Sequence, residues 1–336
     1  MKKSQETICI FGASVTAQKK GYAAILKKEL PGKVYVHGYG GMHLKDAGIS
    51  YIDECLAHKP NICFIDWFTT GYKDCNQQTL DYLDTIICKF TKAGCKLVFL
   101  VLPQEKVEGK PEFHNFCVEH IKKYKIPVLR IDQMVEEKDV CKVLRDSVHT
   151  TKYGSRVYAD FILDYYKNHR DDEYIFPEIE SAPYANVKRI IVEKEFENNI
   201  ILSGCGKIIS FRVLDGPHSG IWKVQSNGDL SEYNSWNRWC YYNLDMMCLS
   251  CEVDGELRID FSQENFDVSE CGDKKIDFTK YKKKMVLHEI LFVGDELKIK
   301  NLTEGKRIKK EVYAWQNLTA RVRRIKRRLL GTYVGE

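Results

Sequence analysis

Short apolar runs alternate with amphipathic segments through the first half of the chain. The runs fall at residues 7–11, 33–37, 61–66, 96–102 and 128–131, and they predict five strands. Between and after them, apolar residues recur at helical spacing, which predicts helices over residues 22–29, 44–57, 78–92, 112–123 and 152–168. Strands that alternate with helices form a parallel sheet covered on both faces, so the pattern predicts a flavodoxin-like three-layer α/β sandwich.

The pattern changes after about residue 170, which sets the predicted end of the first domain. Residues 171–184 are charged and then proline-containing without clear periodicity, and this composition predicts a linker. From residue 185 to 315, short β-branched and aromatic runs are separated by turn signals such as Asn227-Gly228-Asp229. The spacing predicts an all-β, jelly-roll-like domain, followed by a basic tail at residues 316–336.

Two separated motifs supply a nucleophile, a base and a carboxylate. Ser14 lies on a glycine-flanked turn directly after the first predicted strand, where open parallel sheets place their ligands. Taken alone, that turn is also compatible with a phosphate-cradling loop or an ordinary strand-to-helix connection. Asp146 and His149 lie just before the last predicted helix of the first domain, in a spacing that lets the carboxylate orient the imidazole.

These motifs resemble those of the SGNH hydrolase family, also called GDSL-like esterases and lipases, over the first half of the chain. The resemblance implies that Ser14 is the nucleophile, His149 the base and Asp146 the orienting carboxylate. It also implies an oxyanion-binding glycine after the second strand. The block His37-Gly38-Tyr39-Gly40-Gly41-Met42 matches that position, with Gly41 as the better candidate and Gly40 as the alternative.

The chain departs from the family after the third strand. Family members carry Gly-x-Asn-Asp there, and the asparagine amide donates to the oxyanion, whereas this chain reads Asp66-Trp67-Phe68-Thr69-Thr70-Gly71. Thr70 falls nearest the expected position, and its hydroxyl is the candidate replacement. Loss of one oxyanion donor typically costs about 2.7–4 kcal/mol of transition-state stabilisation, so the substitution bears on the oxyanion hole and not on the triad.

The favoured interpretation is serine-dependent acyl-ester chemistry on a carbohydrate, through an acyl-enzyme on Ser14 and without a cofactor. Water as acceptor makes the protein an O-acetyl esterase, whereas a sugar hydroxyl with an acyl thioester donor makes it an O-acyltransferase. The alternative is an inactive scaffold that binds glycans or assembles at a membrane, supported by the missing asparagine and the basic tail. The presence of both Asp146 and His149 at triad spacing argues against that alternative.

Aromatic residues are concentrated between Trp222 and Trp239, which span three of the five tryptophans. Aromatic rings stack on sugars, and Asn237 and Arg238 are the polar residues best placed in sequence to bind hydroxyls. Aromatic residues at this density also fill the space between packed sheets, and core packing is the favoured interpretation.

The thirteen cysteines are an odd number scattered through predicted strands and helices, which favours a reducing compartment over a disulfide framework. Cys248 and Cys251 have Cys-x-x-Cys spacing, with Cys240 and Cys271 as further candidate zinc ligands. The pair lies in a strand-like stretch without a glycine or proline knuckle. Free thiols that pack as small apolar groups are therefore the favoured interpretation, and no metal is predicted.

Charge and terminal segments bear on location and partners. A formal net charge of +5 is too small for the basic field of a nucleic-acid binder. No apolar stretch reaches the about 18 residues of a membrane span, and residues 1–6 carry no secretory pattern, so a cytoplasmic location is expected. Residues 321–330 place six basic side chains around an apolar stripe, which is typical of peripheral membrane contact or of docking on the protein itself.

Overall fold

The computed structural model describes residues 6–45, 47–105, 107–136, 139–179, 182–214, 218–226, 229–236, 244–247, 251–262 and 281–308. The chain folds as two compact units, Met1–Ala185 and Asn186–Glu336. The first unit is built on a parallel sheet with helices and the second on antiparallel strands, so the predicted α/β plus all-β fold class is confirmed.

The first unit is centred on five parallel strands in the order β2-β1-β3-β4-β5. The strands are β1 (Thr7–Gly12), β2 (Lys33–Gly38), β3 (Ile62–Asp66), β4 (Lys96–Val101) and β5 (Val128–Arg130). Each predicted strand is confirmed to within one residue at either end. Gly12 is in register with both Gly38 and Asp66, so the loops that follow the first three strands leave the sheet at one edge.

Helices cover the sheet. They are α1 (Ser14–Ala17), α2 (Tyr22–Glu29), α3 (Ala47–Ser50), α4 (Ile52–Leu56), α5 (Gln77–Lys92), α6 (Lys110–Lys123), α7 (Ile131–Met134), α8 (Val140–Val143) and α9 (Lys152–His169). Among the described residues, none of these helices combines the length and apolarity that crossing a membrane requires.

The single helix predicted over residues 44–57 is wrong, because the chain breaks there into α3 and α4. Tyr51 lies at the break with φ −109° and ψ 9°, outside helical geometry. Its ring is buried and stacks on Tyr39 at a centroid distance of 4.0 Å. Gly48 and Ser50, both poor helix formers, precede the break, so the stacking contact overrides a weak local preference.

The core on one face of the sheet forms where β1, β3 and β4 meet α2 and α9. Apolar side chains from all five elements pack together there, among them Ile10, Phe64, Leu100, Leu26 and Ile162, and all are fully buried. Because the central strands are covered on both faces, their sequences are continuous apolar runs and not alternating ones.

Residues of the predicted linker contact the first unit. The backbone amide of Leu97 donates to the Tyr174 hydroxyl at 3.1 Å, and the Tyr184 amide donates to Thr85 Oγ1 at 3.3 Å. Tyr184 is buried and its ring lies 5.4 Å from that of Tyr82. These contacts attach the segment before the second unit to α5 and β4.

The second unit is an antiparallel sheet with the path β13-β6-β12-β7-β11-β8-β9, and β10 pairs with β7. Its strands are β6 (Lys188–Phe196), β7 (Asn199–Leu214), β8 (Ile221–Ser226), β9 (Asp229–Asn234), β10 (Leu244–Met247), β11 (Cys251–Ser262), β12 (Met285–Ile299) and β13 (Lys306–Arg307). The long strand β12 shifts register against β7 at three places, which bends the sheet around its apolar core.

Trp222 lies in that core and not on a binding surface. It is almost fully buried, with its ring 5.8 Å from Phe211 and 6.1 Å from Phe261. Trp236 is also buried. Core packing therefore accounts for both tryptophans, whereas residues 237–243, including the candidates Asn237 and Arg238, lie outside the described residues, as does the basic tail.

The end of β2 packs directly on α1, and this contact requires a glycine. A Cβ on Gly38 would lie 2.3 Å from the backbone nitrogen of Ala17, whereas a Cβ on Gly40 would meet nothing within 4 Å. We expect Gly38→Ala to lower the free energy of unfolding by about 1–3 kcal/mol, because backbone atoms must shift to admit the methyl group. Gly40→Ala is the matched control. Urea unfolding of both variants measures the difference, and equal midpoints would contradict the packing described.

Candidate active site

Ser14 lies on a turn that only glycine can enter from the strand. A Cβ on Gly12 would approach the Asp66 carbonyl oxygen to 2.3 Å and Thr16 Oγ1 to 2.5 Å. The next amide, that of Ala13, donates to the same Asp66 carbonyl at 3.1 Å. Ser14 then begins α1 and is half-buried. The turn therefore presents the Ser14 side chain at the carboxyl edge of the sheet, beside the end of β3.

Asp146 and His149 are in direct contact. Nδ1 of His149 lies 3.0 Å from both carboxylate oxygens of Asp146, and the backbone amides of Val148 and His149 donate to Oδ1 at 3.1 and 2.8 Å. An ionised carboxylate only accepts hydrogen bonds, so Nδ1 carries the ring proton. The lone pair of the neutral imidazole is then on Nε2, as a general base requires.

Local contacts keep Asp146 ionised. Partial burial alone raises the pKa of this carboxyl, but the amides of His149 and Val148 and the His149 ring outweigh it. The pKa therefore lies below its ordinary value. Folding that depends on this charge is favoured above the ordinary carboxyl pKa and loses the contribution as pH falls through the lowered one.

The loop that carries His149 is held to the Ser14 helix by Gln18. Its side-chain Nε2 donates to the Thr150 carbonyl at 2.8 Å, and its Oε1 accepts from the Thr150 amide at 3.2 Å and from Thr150 Oγ1 at 3.1 Å. Gln18 lies directly after α1, and Thr150 directly after His149. Gln18 is not predicted from the sequence, because a contact between residues 132 positions apart leaves no local pattern.

No hydrogen bond joins the Ser14 hydroxyl to His149 in the part of the chain that the structure describes. The structure thus brings Asp146 and His149 into contact and holds the loops of Ser14 and His149 together through Gln18. Catalytic hydrogen bonds are often long in the free enzyme and shorten when substrate binds. The lack of a hydrogen bond between Ser14 and His149 is therefore compatible with a catalytic pair.

The glycine block after β2 lies beside the serine turn. The Tyr39 amide donates to the Gly12 carbonyl at 3.0 Å, which joins the two loops. Gly41 has φ +76°, in the left-handed region that favours glycine, whereas Gly40 does not have a positive φ. Of the two glycines that the sequence left as alternatives, Gly41 is therefore the one whose backbone conformation favours glycine.

Asp66 is a fully buried carboxylate directly behind the serine turn. Its side chain accepts from Thr69 Oγ1 at 2.5 Å and from Thr16 Oγ1 at 3.2 Å, and Thr16 Oγ1 is 2.7 Å from the Tyr22 hydroxyl. Burial raises the pKa of Asp66 to about 6, against the opposing effects of the Thr69 and Thr16 hydrogen bonds and of Lys110. From the sequence, Asp66 is expected to make a strand-end hydrogen bond or to be a buried carboxylate near the site, and it is not predicted as a catalytic residue.

Thr70 lies in the loop after β3, which accepts hydrogen bonds from α6. Lys110 Nζ donates to the carbonyls of Thr70 and Tyr72 at 2.7 and 2.6 Å, and it is almost fully buried. His114 Nε2 lies 3.1 Å from the Phe68 carbonyl. Burial lowers the pKa of Lys110 to about 7. Neither Lys110 nor His114 is predicted from the sequence, since neither belongs to a motif.

The described residues contain no group of three or more His, Cys, Asp or Glu side chains placed to hold a metal ion. Of the four cysteines considered for zinc, Cys251 is half-buried on β11. The other three, Cys240, Cys248 and Cys271, lie outside the described residues.

Comparison with known proteins identifies similar folds. A two-domain esterase (CEX) active on acetylated mannans has 10% identity and a TM-score of 0.59, over 86% of this chain and 92% of its own. The same esterase co-crystallised with mannopentaose has 10% identity and a TM-score of 0.59, over 87% of this chain and 91% of its own. A protein of the G-D-S-L family from Desulfitobacterium hafniense DCB-2 has 15% identity and a TM-score of 0.40, over 46% of this chain and 97% of its own.

No family model and no curated protein sequence matches the chain. The resemblance to SGNH hydrolases predicted for the N-terminal half is confirmed as a resemblance of fold, since the two-domain esterase matches at a TM-score of 0.59. At these identities the comparison concerns the arrangement of the chain and not its chemistry.

The raised pKa of Asp66 predicts a pH dependence of stability. The folded protein keeps this carboxyl protonated up to about pH 6, whereas the unfolded chain ionises it near its ordinary value of 3.8. Between these values the folded state binds more protons, so the free energy of unfolding falls as pH rises. We expect this fall to amount to about 3 kcal/mol and to disappear in Asp66→Asn. Denaturant unfolding at several pH values measures it, with exposed Asp74→Asn as control. A fall that persists in Asp66→Asn would rule out Asp66 as its source.

The Gln18 contacts predict a local effect on the His149 loop. Gln18→Leu removes three hydrogen bonds to Thr150, each of which contributes about 0.5–1.5 kcal/mol. We expect faster hydrogen exchange of the Thr150 amide and of its neighbours, while exchange in β4 is unchanged. Lys19→Leu, at an exposed neighbouring position, is the control. Equal exchange rates of the Thr150 amide in the two variants would show that Gln18 does not hold the loop.

Proposed function

We propose that this protein is a serine esterase that removes acyl groups, acetyl in particular, from a carbohydrate. The observation that carries the proposal is the carboxylate of Asp146 on Nδ1 of His149, in a loop that Gln18 ties to the helix of Ser14. Fixed in this way, the ring leaves Nε2 available as a base near the serine turn. Neither an ordinary strand-to-helix turn nor a phosphate-binding loop requires such a pair.

In the proposed mechanism, Ser14 Oγ attacks the ester carbonyl carbon while Nε2 of His149 takes the hydroxyl proton. The imidazolium that forms is stabilised by the ionised Asp146. Collapse of the tetrahedral intermediate breaks the bond to the sugar oxygen, which leaves with the proton from His149. Water then attacks the acyl-enzyme by the same route and releases the carboxylic acid and free Ser14.

The oxyanion requires donors at the same edge of the sheet. The Ser14 amide belongs to the first turn of α1, where backbone amides have no helical partner. The amide of Gly41 and the hydroxyl of Thr70 are the further proposed donors. Thr70 Oγ1 accepts from the Tyr72 amide at 3.3 Å, so its own hydrogen remains available to an acceptor.

The carbohydrate part of the proposal is supported by the similarity of fold across both units to the esterase active on acetylated mannans. Transfer of the acyl group to a sugar hydroxyl uses the same three residues, and an acyl thioester donor distinguishes it from hydrolysis. The cytoplasmic location and the contact of the basic tail with membranes stay predictions.

Intact-mass labelling with a fluorophosphonate tests the nucleophile. We expect one adduct on the native chain and none on Ser14→Ala or His149→Ala. Asp146→Asn is expected to label about 10⁴-fold more slowly, the loss observed when the orienting carboxylate of a serine protease is changed to the amide. Release of acetate from acetylated mannan and xylan, with and without a thioester donor and a free sugar acceptor, then separates hydrolysis from transfer.

Two outcomes would contradict the proposal. A folded native chain that gives no adduct and releases no acetate would exclude the nucleophile, and glycan binding without turnover would favour the scaffold. An adduct that persists in Ser14→Ala would place the reactive group elsewhere.

A further inference from the structure

We propose that the backbone amide of Gly71, oriented by Lys110, donates to the oxyanion in place of the side-chain amide that family members supply after the third strand. Lys110 is then a positioning residue, since it acts through the peptide between Thr70 and Gly71. The inference rests on the proposed function, because it concerns the same acyl transfer at Ser14.

The first observation is the direction of three carbonyls. Those of Phe68, Thr70 and Tyr72 all accept hydrogen bonds from α6, the first from His114 and the other two from Lys110. In a planar trans peptide the N–H points opposite to the C=O. The amides of Thr69, Gly71 and Lys73 therefore point away from α6.

The second observation is the position of α6 relative to Ser14. In the sheet, β3 lies between β1 and β4. Ser14 follows β1, whereas Lys110 begins the helix that follows β4. A carbonyl directed from the β3 loop toward α6 therefore directs the following amide toward the β1 side. Thr69, the residue before Thr70, also lies on the β1 side, because its hydroxyl donates to the Asp66 carboxylate behind the serine turn.

The third observation is that the Gly71 amide is available. Gly71 is exposed, and a Cβ added to it would meet nothing within 4 Å. Among the described residues, its N–H donates to no backbone or side-chain acceptor. The Thr69 hydroxyl is committed to Asp66, whereas the Gly71 amide faces open space.

The buried side chain of Lys110 depends on its hydrogen bonds to the β3 loop. An ammonium removed from water is costly unless polar partners replace the lost solvation, and here two carbonyls of one short loop do so. Lys73 adds a second anchor between the same loop and the start of α6, through its Nζ contact with the Glu108 carbonyl at 2.7 Å. These contacts fix the loop on the side that faces α6. The Gly71 amide lies on the opposite side, where we propose that it donates to the oxyanion.

Two substitutions at Gly71 separate the amide from the side chain. Gly71→Ala keeps the N–H and adds a methyl group to open space, whereas Gly71→Pro removes the N–H. We expect kcat and the fluorophosphonate labelling rate to be far lower in Gly71→Pro than in Gly71→Ala. Gly71→Pro is expected to lose about 100- to 1,000-fold in both with little change in KM, as for loss of one oxyanion donor. Thermal unfolding of both variants identifies any loss of fold.

Lys110→Met tests the positioning role, since methionine is a flexible apolar side chain of similar length. If Lys110 acts through the Gly71 amide, the ratio between Gly71→Ala and Gly71→Pro falls to about threefold or less in the Lys110→Met background. A purely structural role for Lys110 leaves that ratio unchanged, and this result would overturn the positioning assignment. The ratio is measured within one background, so a general loss of stability does not imitate it.

The outcomes also separate this inference from the proposed function. If the native chain does not label at Ser14, both the proposed function and this inference are contradicted. If the native chain labels at Ser14 but Gly71→Ala and Gly71→Pro have equal labelling rates and kcat values, only the inference is contradicted. Thr70 then remains the candidate donor of the loop.

Discussion

The burial of the Asp66 carboxylate is the constraint on which the rest of the candidate site depends. This one residue holds the serine turn through its carbonyl, which accepts from Ala13, and through its side chain, which accepts from Thr16. The same side chain accepts from Thr69 at the start of the next loop. A buried carboxyl is tolerated only where hydrogen bonds satisfy it, so the loops after β1 and β3 must keep their positions together.

Polar contacts of the same kind continue across the edge of the sheet. Gln18 attaches the His149 loop to the serine helix, and Lys110 attaches the β3 loop to α6. The Glu105 amide, after β4, donates to the Ser147 carbonyl at 2.9 Å. Each contact joins a loop at this edge to another loop or helix that the sheet alone would leave independent of it. The loops therefore form one network in which displacement of a member leaves a polar group unsatisfied, and such a penalty favours preorganisation.

The sequence predicts what depends on local pattern. The five strands follow from apolar runs, and Ser14, Asp146 and His149 follow from short motifs whose members lie at sheet edges or within one loop. The break at Tyr51 could not be predicted, because it depends on a ring contact with Tyr39 across the chain. Gln18 and Lys110 were missed for the same reason, since their partners are 132 and 40 or 38 residues away.

The hydrogen bonds from α6 to the β3 loop change how the missing asparagine is interpreted. A side-chain donor must be held in one rotamer at the moment of reaction, whereas a backbone donor is fixed by the plane of its peptide. Hydrogen bonds to the carbonyl on one side of that plane set the direction of the amide on the other, at no further cost when charge develops. An abandoned site has no need for a buried lysine on two carbonyls of the loop that would bind the oxyanion. Under the proposed function, the departure from the SGNH motif is therefore explained by a change of donor and not by loss of catalysis.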